Sequence, residues 1–134
     1  MNKPLAQGLL LGKYDPNYPP EFCAGDHRRK KSWFRADALS VIDRRLQPLK
    51  DRFGDRPQDL ARVALQYCLA MSQTTCTVVG FSRQSQLTQN MEAIGRPLSS
   101  DDVAFIDSHM SGIAEEIGTY FASEAGGSHG PRSL

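Results

Sequence analysis

Residues 78–90 read VVGFSRQSQLTQN and change character at Gly80. Residues 76–81, CTVVGF, do not alternate between apolar and polar side chains, as a strand with one face in water would. We therefore expect a strand at 76–80 that is buried on both faces, as in a parallel sheet. After the glycine, apolar residues recur at spacings of four and three, which predicts a helix over 83–94.

A strand that passes through glycine into a helix is a candidate anion-binding turn. The first N–H groups of the helix have no partner inside it, and the helix dipole adds positive potential there. In (β/α)8 barrels a phosphate site commonly lies in the loops after the last two strands. From the residues alone, a simpler interpretation is an ordinary turn capped by Ser82, with Gln86 and Asn90 in water, because serine caps are common.

Helical periodicity accounts for much of the remaining sequence. Apolar stripes predict three further helices, at 37–53, 58–71 and 100–110. Pro48 lies inside the first of them, and we expect it to kink or divide that helix, because proline lacks an N–H group and clashes with the preceding turn. Ser99 with Asp102 approximates a capping box for the last one.

These elements divide the chain into three regions. Residues 1–36 are rich in proline and carry the basic run HRRKK, which predicts a loop region. Residues 37–125 contain the helices and the strand, and the small, polar tail at 126–134 is expected to be disordered. Because a lone strand leaves both of its edges unpaired, the order helix–helix–strand–helix–helix indicates part of a larger fold.

Composition argues against several classes of protein. The chain has 134 residues and a net charge of +1, so its overall charge gives no reason to expect a nucleic-acid partner, and the run HRRKK is balanced by acidic residues elsewhere. No apolar run approaches the ~18 residues of a membrane span, and the first residues do not resemble a signal peptide. Three widely spaced cysteines are typical of reduced thiols in a cytoplasmic protein, without a metal site.

Two segments resemble the aldo-keto reductase family. Residues 80–90, GFSRQSQLTQN, are similar to the segment after the eighth strand of the family's barrel, where glycine, a small polar residue, glutamine and asparagine follow in this spacing. Residues 4–14, PLAQGLLLGKY, are similar to the segment just after the seventh strand. The loop YDPNYPPEF and the later LSSDD fit a bacterial-type subfamily, and the resemblance covers residues 3–110.

The resemblance implies an α/β fold, the C-terminal fragment of a TIM (β/α)8 barrel, mostly helical with one strand. It also implies an NADPH-dependent oxidoreductase that reduces a small-molecule aldehyde or ketone. The residues that would hold the adenosine and its 2′-phosphate are Gly80, Ser82, Arg83, Gln86, Gln89 and Asn90. Those that would lie along the pyrophosphate are Pro4, Leu5, Gly8 and Lys13. Arg28 or Arg29 would close over the cofactor from the long loop.

The sequence departs from the family's pattern at two of these positions. Leu11 stands where the family usually has serine or threonine, which removes a hydroxyl group from the phosphate side. Gln89 replaces the common glutamate, which keeps a hydrogen-bonding group and loses a negative charge near the adenine.

The resemblance also implies that catalytic residues are missing. The family's tetrad of Asp, Tyr, Lys and His comes from strands upstream of Pro4, and none of the four tyrosines or three histidines here occupies a tetrad position. A complete barrel of this kind needs ~250 residues. We therefore expect the chain alone to be inactive. The alternative is a non-enzymatic barrel remnant or interaction module that associates with another chain, and the fragment could also self-associate.

Overall fold

Four α-helices account for about half of the described part of the chain. The computed structural model describes residues 4–71, 76–81 and 83–118. The α-helices are α1 Ala36–Phe53, α2 Pro57–Ala70, α3 Gln84–Ile94 and α4 Ser100–Met110. They confirm the predicted helices to within about one residue at each end. In the predicted loop region lie three short 3-10 helices, Ala6–Leu11, His27–Lys30 and Ser32–Phe34, and residues 113–118 are helical as well.

Helix α1 continues through Pro48, so the proline does not divide the helix, and a kink, the other outcome expected, stays a prediction. Proline removes one N–H group, and the carbonyl of Arg44 therefore loses its usual donor in the helix. On either side of the proline, Leu46 and Leu49 are only 2% and 5% exposed. Tertiary packing of this kind supplies most of the stability of a helix, and it holds α1 together across the missing hydrogen bond.

The apolar core lies where α1, α2 and α4 meet the first described residues. Its buried members are Leu9, Phe34, Ala38, Leu39, Val41, Ile42, Leu46, Leu49, Leu60, Val63, Ile106 and Ile117. Full burial of one leucine or isoleucine side chain contributes ~1.5–3 kcal/mol relative to exposure. Leu9 and Phe34 belong to this core, and they therefore fix the N-terminal region against α1.

Polar contacts hold α4 and the residues after it against α1. Nε and Nη2 of Arg45 donate to Oε2 of Glu116 at 2.9 and 2.7 Å. Nε of Arg52 donates to Oδ1 of Asp102 at 3.0 Å. The N–H of Asp102 donates to Oγ of Ser99 at 3.1 Å, and the N–H of Ser99 donates to Oδ2 of Asp102 at 3.3 Å. This reciprocal pair confirms the predicted capping box.

Residues 76–81 do not form the predicted strand. Within this segment only Val78 takes part in a β-bridge, and its side chain is 65% exposed, so a strand buried on both faces is wrong for this chain. In the described part of the chain no extended strand lies beside it to continue this single bridge into a sheet and cover its faces. The same lack of cover leaves Cys76 and Met91 exposed, whereas Cys68 on α2 is buried.

Candidate functional site

The turn after Pro4 has an uncommon backbone conformation. Leu5 is right-handed (φ −94°, ψ 8°), and the next three residues are left-handed, with φ of 46° at Ala6, 60° at Gln7 and 94° at Gly8. The N–H of Gly8 donates to the carbonyl of Leu5 at 2.8 Å. A right-handed residue followed by left-handed ones turns successive N–H groups into one concavity, which suits an anion. Left-handed conformations cost ~1–3 kcal/mol at non-glycine residues, and such strain clusters at binding sites.

Gly8 lies beside two polar side chains. A Cβ atom placed on Gly8 would be 3.3 Å from Oη of Tyr14 and 3.6 Å from Cε of Lys13. Nζ of Lys13 lies 5.0 Å from the centre of the Tyr14 ring, within range of a cation–π contact. The structure therefore brings the predicted residues Gly8 and Lys13 together, and the missing side chain of the glycine leaves the space between them open.

Arg28 is held in place by Asp26. Nε of Arg28 donates to Oδ1 at 3.1 Å and Nη2 donates to Oδ2 at 2.6 Å, while the backbone N–H of Arg28 donates to Oδ1 at 2.9 Å. Its guanidinium carbon lies 4.5 Å from the centre of the Phe22 ring. These hydrogen bonds lower the pKa of Asp26 to about 2. The hydrogen bond to Asp26 and, in smaller measure, Tyr14 raise the pKa of Arg28. Tyr14 packs edge-on against Phe34, which in turn packs against Phe22 beside the guanidinium.

An open cavity of about 670 Å³ lies between residues 19–22 and 28–36. Its charged lining residues are Glu21, Arg28, Arg29, Lys31 and Arg35. Four basic groups against one acidic group give the cavity an excess of positive charge, which favours phosphate and other anions. The sequence left open whether Arg28 or Arg29 faces the cofactor, and the structure places both on this cavity.

At the start of α3, the predicted site residue Gln86 caps the helix through its side chain. Arg83 is the extended N-cap residue, and its backbone N–H donates to Oε1 of Gln86 at 3.2 Å. Gln86, Gln89 and Asn90 are three and four residues apart, so they share one face of the helix. Gly80, Arg83, Gln86 and Gln89 are exposed and Asn90 is half-buried. This end of α3 is therefore open to a ligand, although the carboxamide oxygen of Gln86 is already engaged.

The predicted residues fall into two groups that share a neighbour. Gly8, Lys13 and Arg28 surround Tyr14, whereas Arg83 and Gln86 form the start of α3. Both α3 and the 3-10 helix Ala6–Leu11 pack against α2, which positions the two groups on one support. Ser82 lies outside the described residues, so its proposed contact with a 2′-phosphate stays a prediction.

Two residues of the site were missed by reasoning from the sequence, Tyr14 and Asp26. Tyr14 directly follows Lys13 in the segment GKY. Asp26 stands two residues before Arg28, the spacing of an Asx turn, in which an aspartate side chain accepts from the backbone two residues on. That local signal could have identified the anchor of Arg28. The contact of Tyr14 with Gly8 depends on the turn geometry and has no comparable signal.

The structure adds two findings on other kinds of site. Within residues 4–71, 76–81 and 83–118, no group of three or more His, Cys, Asp or Glu side chains could hold a metal ion. Over the same residues, the helices lack the length and apolar character that crossing a membrane requires.

The sequence matches one protein family and several curated proteins. The profile of the Aldo/keto reductase family matches residues 2–111. A protein of Escherichia coli O157:H7 named L-glyceraldehyde 3-phosphate reductase is 32% identical over 110 residues, which are 81% of this chain and 32% of that protein. The protein of the same name from strain K12 is 31% identical with the same coverage.

A more distant similarity involves a protein with a different name. The probable voltage-gated potassium channel subunit beta of Arabidopsis thaliana is 26% identical over 91 residues, 68% of this chain and 28% of that protein. No solved structure matches the chain significantly. The chain spans about a third of the length of the curated relatives it matches (32% for the two reductases and 28% for the channel subunit).

Proposed function

The chain belongs to the aldo/keto reductase family, and on that premise we propose that it forms the NADPH-binding C-terminal part of a (β/α)8-barrel oxidoreductase. Members of this family reduce carbonyl groups. The proposed substrate of the complete barrel is a small aldehyde or ketone. Two similar proteins are named for the reduction of L-glyceraldehyde 3-phosphate, so this is the first compound to assay.

The arrangement around Gly8 carries the proposal. In the left-handed turn the N–H of Gly8 is engaged by the carbonyl of Leu5, so we assign the N–H groups of Ala6 and Gln7 to the anion, and Lys13 adds a positive charge next to them. A diphosphate requires both features, because its oxygens accept several hydrogen bonds and carry negative charge. A Cβ atom on Gly8 would fill the space beside Tyr14, so the residues present fit the group.

The start of α3 supports the choice of NADPH over NADH. Arg83 is exposed at the N-terminus of this helix, where the dipole favours an anion such as the 2′-phosphate that only NADPH carries. The basic cavity at Arg28 and Arg29 offers further positive charge. Asp26 neutralises part of the charge of Arg28 and fixes the position of its side chain. We therefore propose that Arg28 mainly orients the cofactor phosphates and that Lys13 attracts them more strongly.

NADPH, when bound, supplies the hydride for carbonyl reduction. In this proposal the chain's own residues bind and orient the cofactor: the turn at Leu5–Gly8 and Lys13 hold the diphosphate, and Arg83, Gln89 and Asn90 hold the adenosine side. None of them is assigned a proton transfer to the carbonyl oxygen. We therefore propose that the isolated chain binds the cofactor without reducing a substrate.

Cofactor titration of the purified chain tests the proposal. We expect saturable binding of NADPH by calorimetry and weaker binding of NADH, which lacks the 2′-phosphate. In a preparation free of host reductases, an aldehyde should cause no NADPH oxidation above a buffer control. Absence of saturable NADPH binding would refute the proposed role of this chain. Oxidation of NADPH would show that the chain contains catalytic residues, contrary to the proposal.

Two lysine variants show whether binding uses the proposed site. Lys13→Ala should weaken NADPH binding about tenfold, the effect of losing one charge-assisted hydrogen bond. Lys30→Ala removes the same charge from an exposed residue that lines neither the basic cavity nor the turn, and should change binding little. Equal effects of the two variants would indicate general electrostatic attraction in place of a site.

An exposed apolar surface favours a second candidate function. Large apolar side chains of residues 78–94 are uncovered, with Val78 65%, Phe81 56%, Met91 60% and Ile94 59% exposed. Apolar surface on this scale marks an interaction site. The alternative proposal is therefore a non-enzymatic interaction module that associates with another chain. Saturable NADPH binding that Lys13→Ala weakens favours the oxidoreductase, whereas a stable complex without cofactor binding favours the module.

A further inference from the structure

An apolar cavity separate from the basic one lies between α1, α2 and α4. Its volume is about 580 Å³, which is within the range of ~300–1,000 Å³ typical of small-molecule sites. Leu10, Ala64 and Met110 are half-buried at its surface, and the core residues Leu46, Leu60 and Ile106 lie beneath them. Of the predicted cofactor residues that the structure describes, Pro4 alone lines this cavity, which is otherwise distinct from the turn at Gly8 and the start of α3.

One acidic side chain stands among these apolar walls. Asp107 of α4 lines the cavity together with Tyr67 and Ser111, and no basic residue of the described chain does so. The hydroxyl of Tyr67 donates to Oδ1 of Asp107, which fixes the carboxylate. Oδ2 has no hydrogen-bond partner among the described residues. The cavity therefore combines apolar volume with one oriented negative group that retains an acceptor.

We propose that this cavity binds a small apolar molecule that carries a primary amine, with its ammonium group at Asp107. Transfer of the ligand's apolar part from water into the cavity supplies most of the binding free energy. The ammonium group donates to the second carboxylate oxygen of Asp107, a charge-assisted hydrogen bond. Carboxylate or phosphate ligands are disfavoured, because the only charge on the cavity lining is negative.

A pair of ligands of equal shape tests this proposal. Calorimetry on the full chain compares 4-phenylbutylamine, which is cationic at neutral pH, with the neutral 4-phenylbutan-1-ol. Because Asp107 is exposed, solvent screens the charge, and the amine should bind about three- to fivefold more tightly than the alcohol. Asp107→Asn should abolish this preference. Asp101→Asn removes an exposed carboxylate of the same helix away from the cavity and should leave the preference unchanged.

A filling variant locates the site. Ala64 lines the cavity, and Ala64→Phe should abolish binding of both ligands by occupying the volume. If that variant fails to fold, the comparison between Asp107→Asn and Asp101→Asn still shows whether the amine binds at Asp107. Three results would each overturn the proposal: no saturable binding of the amine to the unmodified chain, equal affinity for amine and alcohol, or a preference for the amine that survives Asp107→Asn.

Discussion

Tyr14 packs against Gly8, where its hydroxyl oxygen would lie 3.3 Å from a Cβ atom on the glycine. The same tyrosine contributes to raising the pKa of Arg28, which stands twenty positions after Gly8. Gln7 and His27 pair beside them through Nε2 atoms 3.0 Å apart. These contacts join the strained turn to the basic loop, so a change at Gly8 is expected to disturb both.

Gly8→Ala should weaken NADPH binding about tenfold or more. The Cβ atom would lie 3.3 Å from the hydroxyl oxygen of Tyr14, which is a tight contact, and the left-handed conformation would become strained, at a cost of ~1–3 kcal/mol. Gly25→Ala is the matched control, because Gly25 has φ of 92° against 94° at Gly8 but nothing within 4 Å of the added atom. Calorimetric titration of both variants checks this, and equal losses would mean that the space beside Tyr14 has no part in binding.

Arg83→Ala should erode the preference for NADPH over NADH without destabilising α3. Its guanidinium is exposed and its capping contribution comes from the backbone N–H, which alanine retains. Gln86→Ala, in contrast, removes the acceptor of that N–H and should lower helix stability by ~1 kcal/mol. Arg96→Ala, a charge removal beyond the other end of α3, is the control. An unchanged ratio of NADPH to NADH affinity in Arg83→Ala would refute the assignment of Arg83 to the 2′-phosphate.

Stability should fall in acid partly through Asp26. Its hydrogen bonds to Arg28 lower the pKa from 3.8 to about 2 in the folded chain. A lowered folded pKa means that the stabilisation is present above the unfolded pKa and is lost as pH falls, here between about pH 4 and pH 2. The lowered pKa values of Asp59, Asp102 and Glu116 act in the same direction.

Substitution isolates this contribution from the others. Asp26→Asn should lower the thermal-unfolding midpoint at pH 6 and reduce its fall between pH 4 and pH 2. Asp101→Asn, at an exposed carboxylate of α4, should leave the fall unchanged. If the Asp26→Asn variant and the unmodified chain lose stability in parallel between pH 4 and pH 2, the ion pair between Asp26 and Arg28 does not contribute to stability in solution.

The helices could be predicted from the sequence because their signals are local. The stripe that includes Leu39, Leu46 and Leu49 has helical spacing, and all three residues enter the core. The capping box at Ser99 is likewise specified within four residues. By contrast, the strand at Val78 depends on neighbouring strands for its pairing and burial, and the described chain supplies none.

The site was predicted less completely for a related reason. Lys13 and Arg28 were identified because their segments resemble a family pattern, but their common neighbour Tyr14 becomes evident only when the turn at Gly8 is folded. Gln86 was expected to contact the cofactor, and the structure adds a capping role that competes for its oxygen. Residue type and spacing therefore indicate which groups are candidates, whereas the turns of the folded chain decide which of them come together.

The exposed apolar face of α3 should make the isolated chain self-associate. Met91 and Ile94 are 60% and 59% exposed and lie three residues apart, on one face of the helix. Water disfavours such a surface by roughly 25 cal/mol per Å², so association or loose packing should follow. In sedimentation velocity we expect species larger than a monomer, together with binding of a hydrophobic dye. Met91→Lys with Ile94→Asp should shift the chain towards monomer and reduce dye binding, whereas Gln89→Lys, a charge on the polar face, should not. A monomeric unmodified chain with a sharp thermal transition and no dye binding would show that these helices close a complete core, and the interpretation as part of a larger barrel would fail.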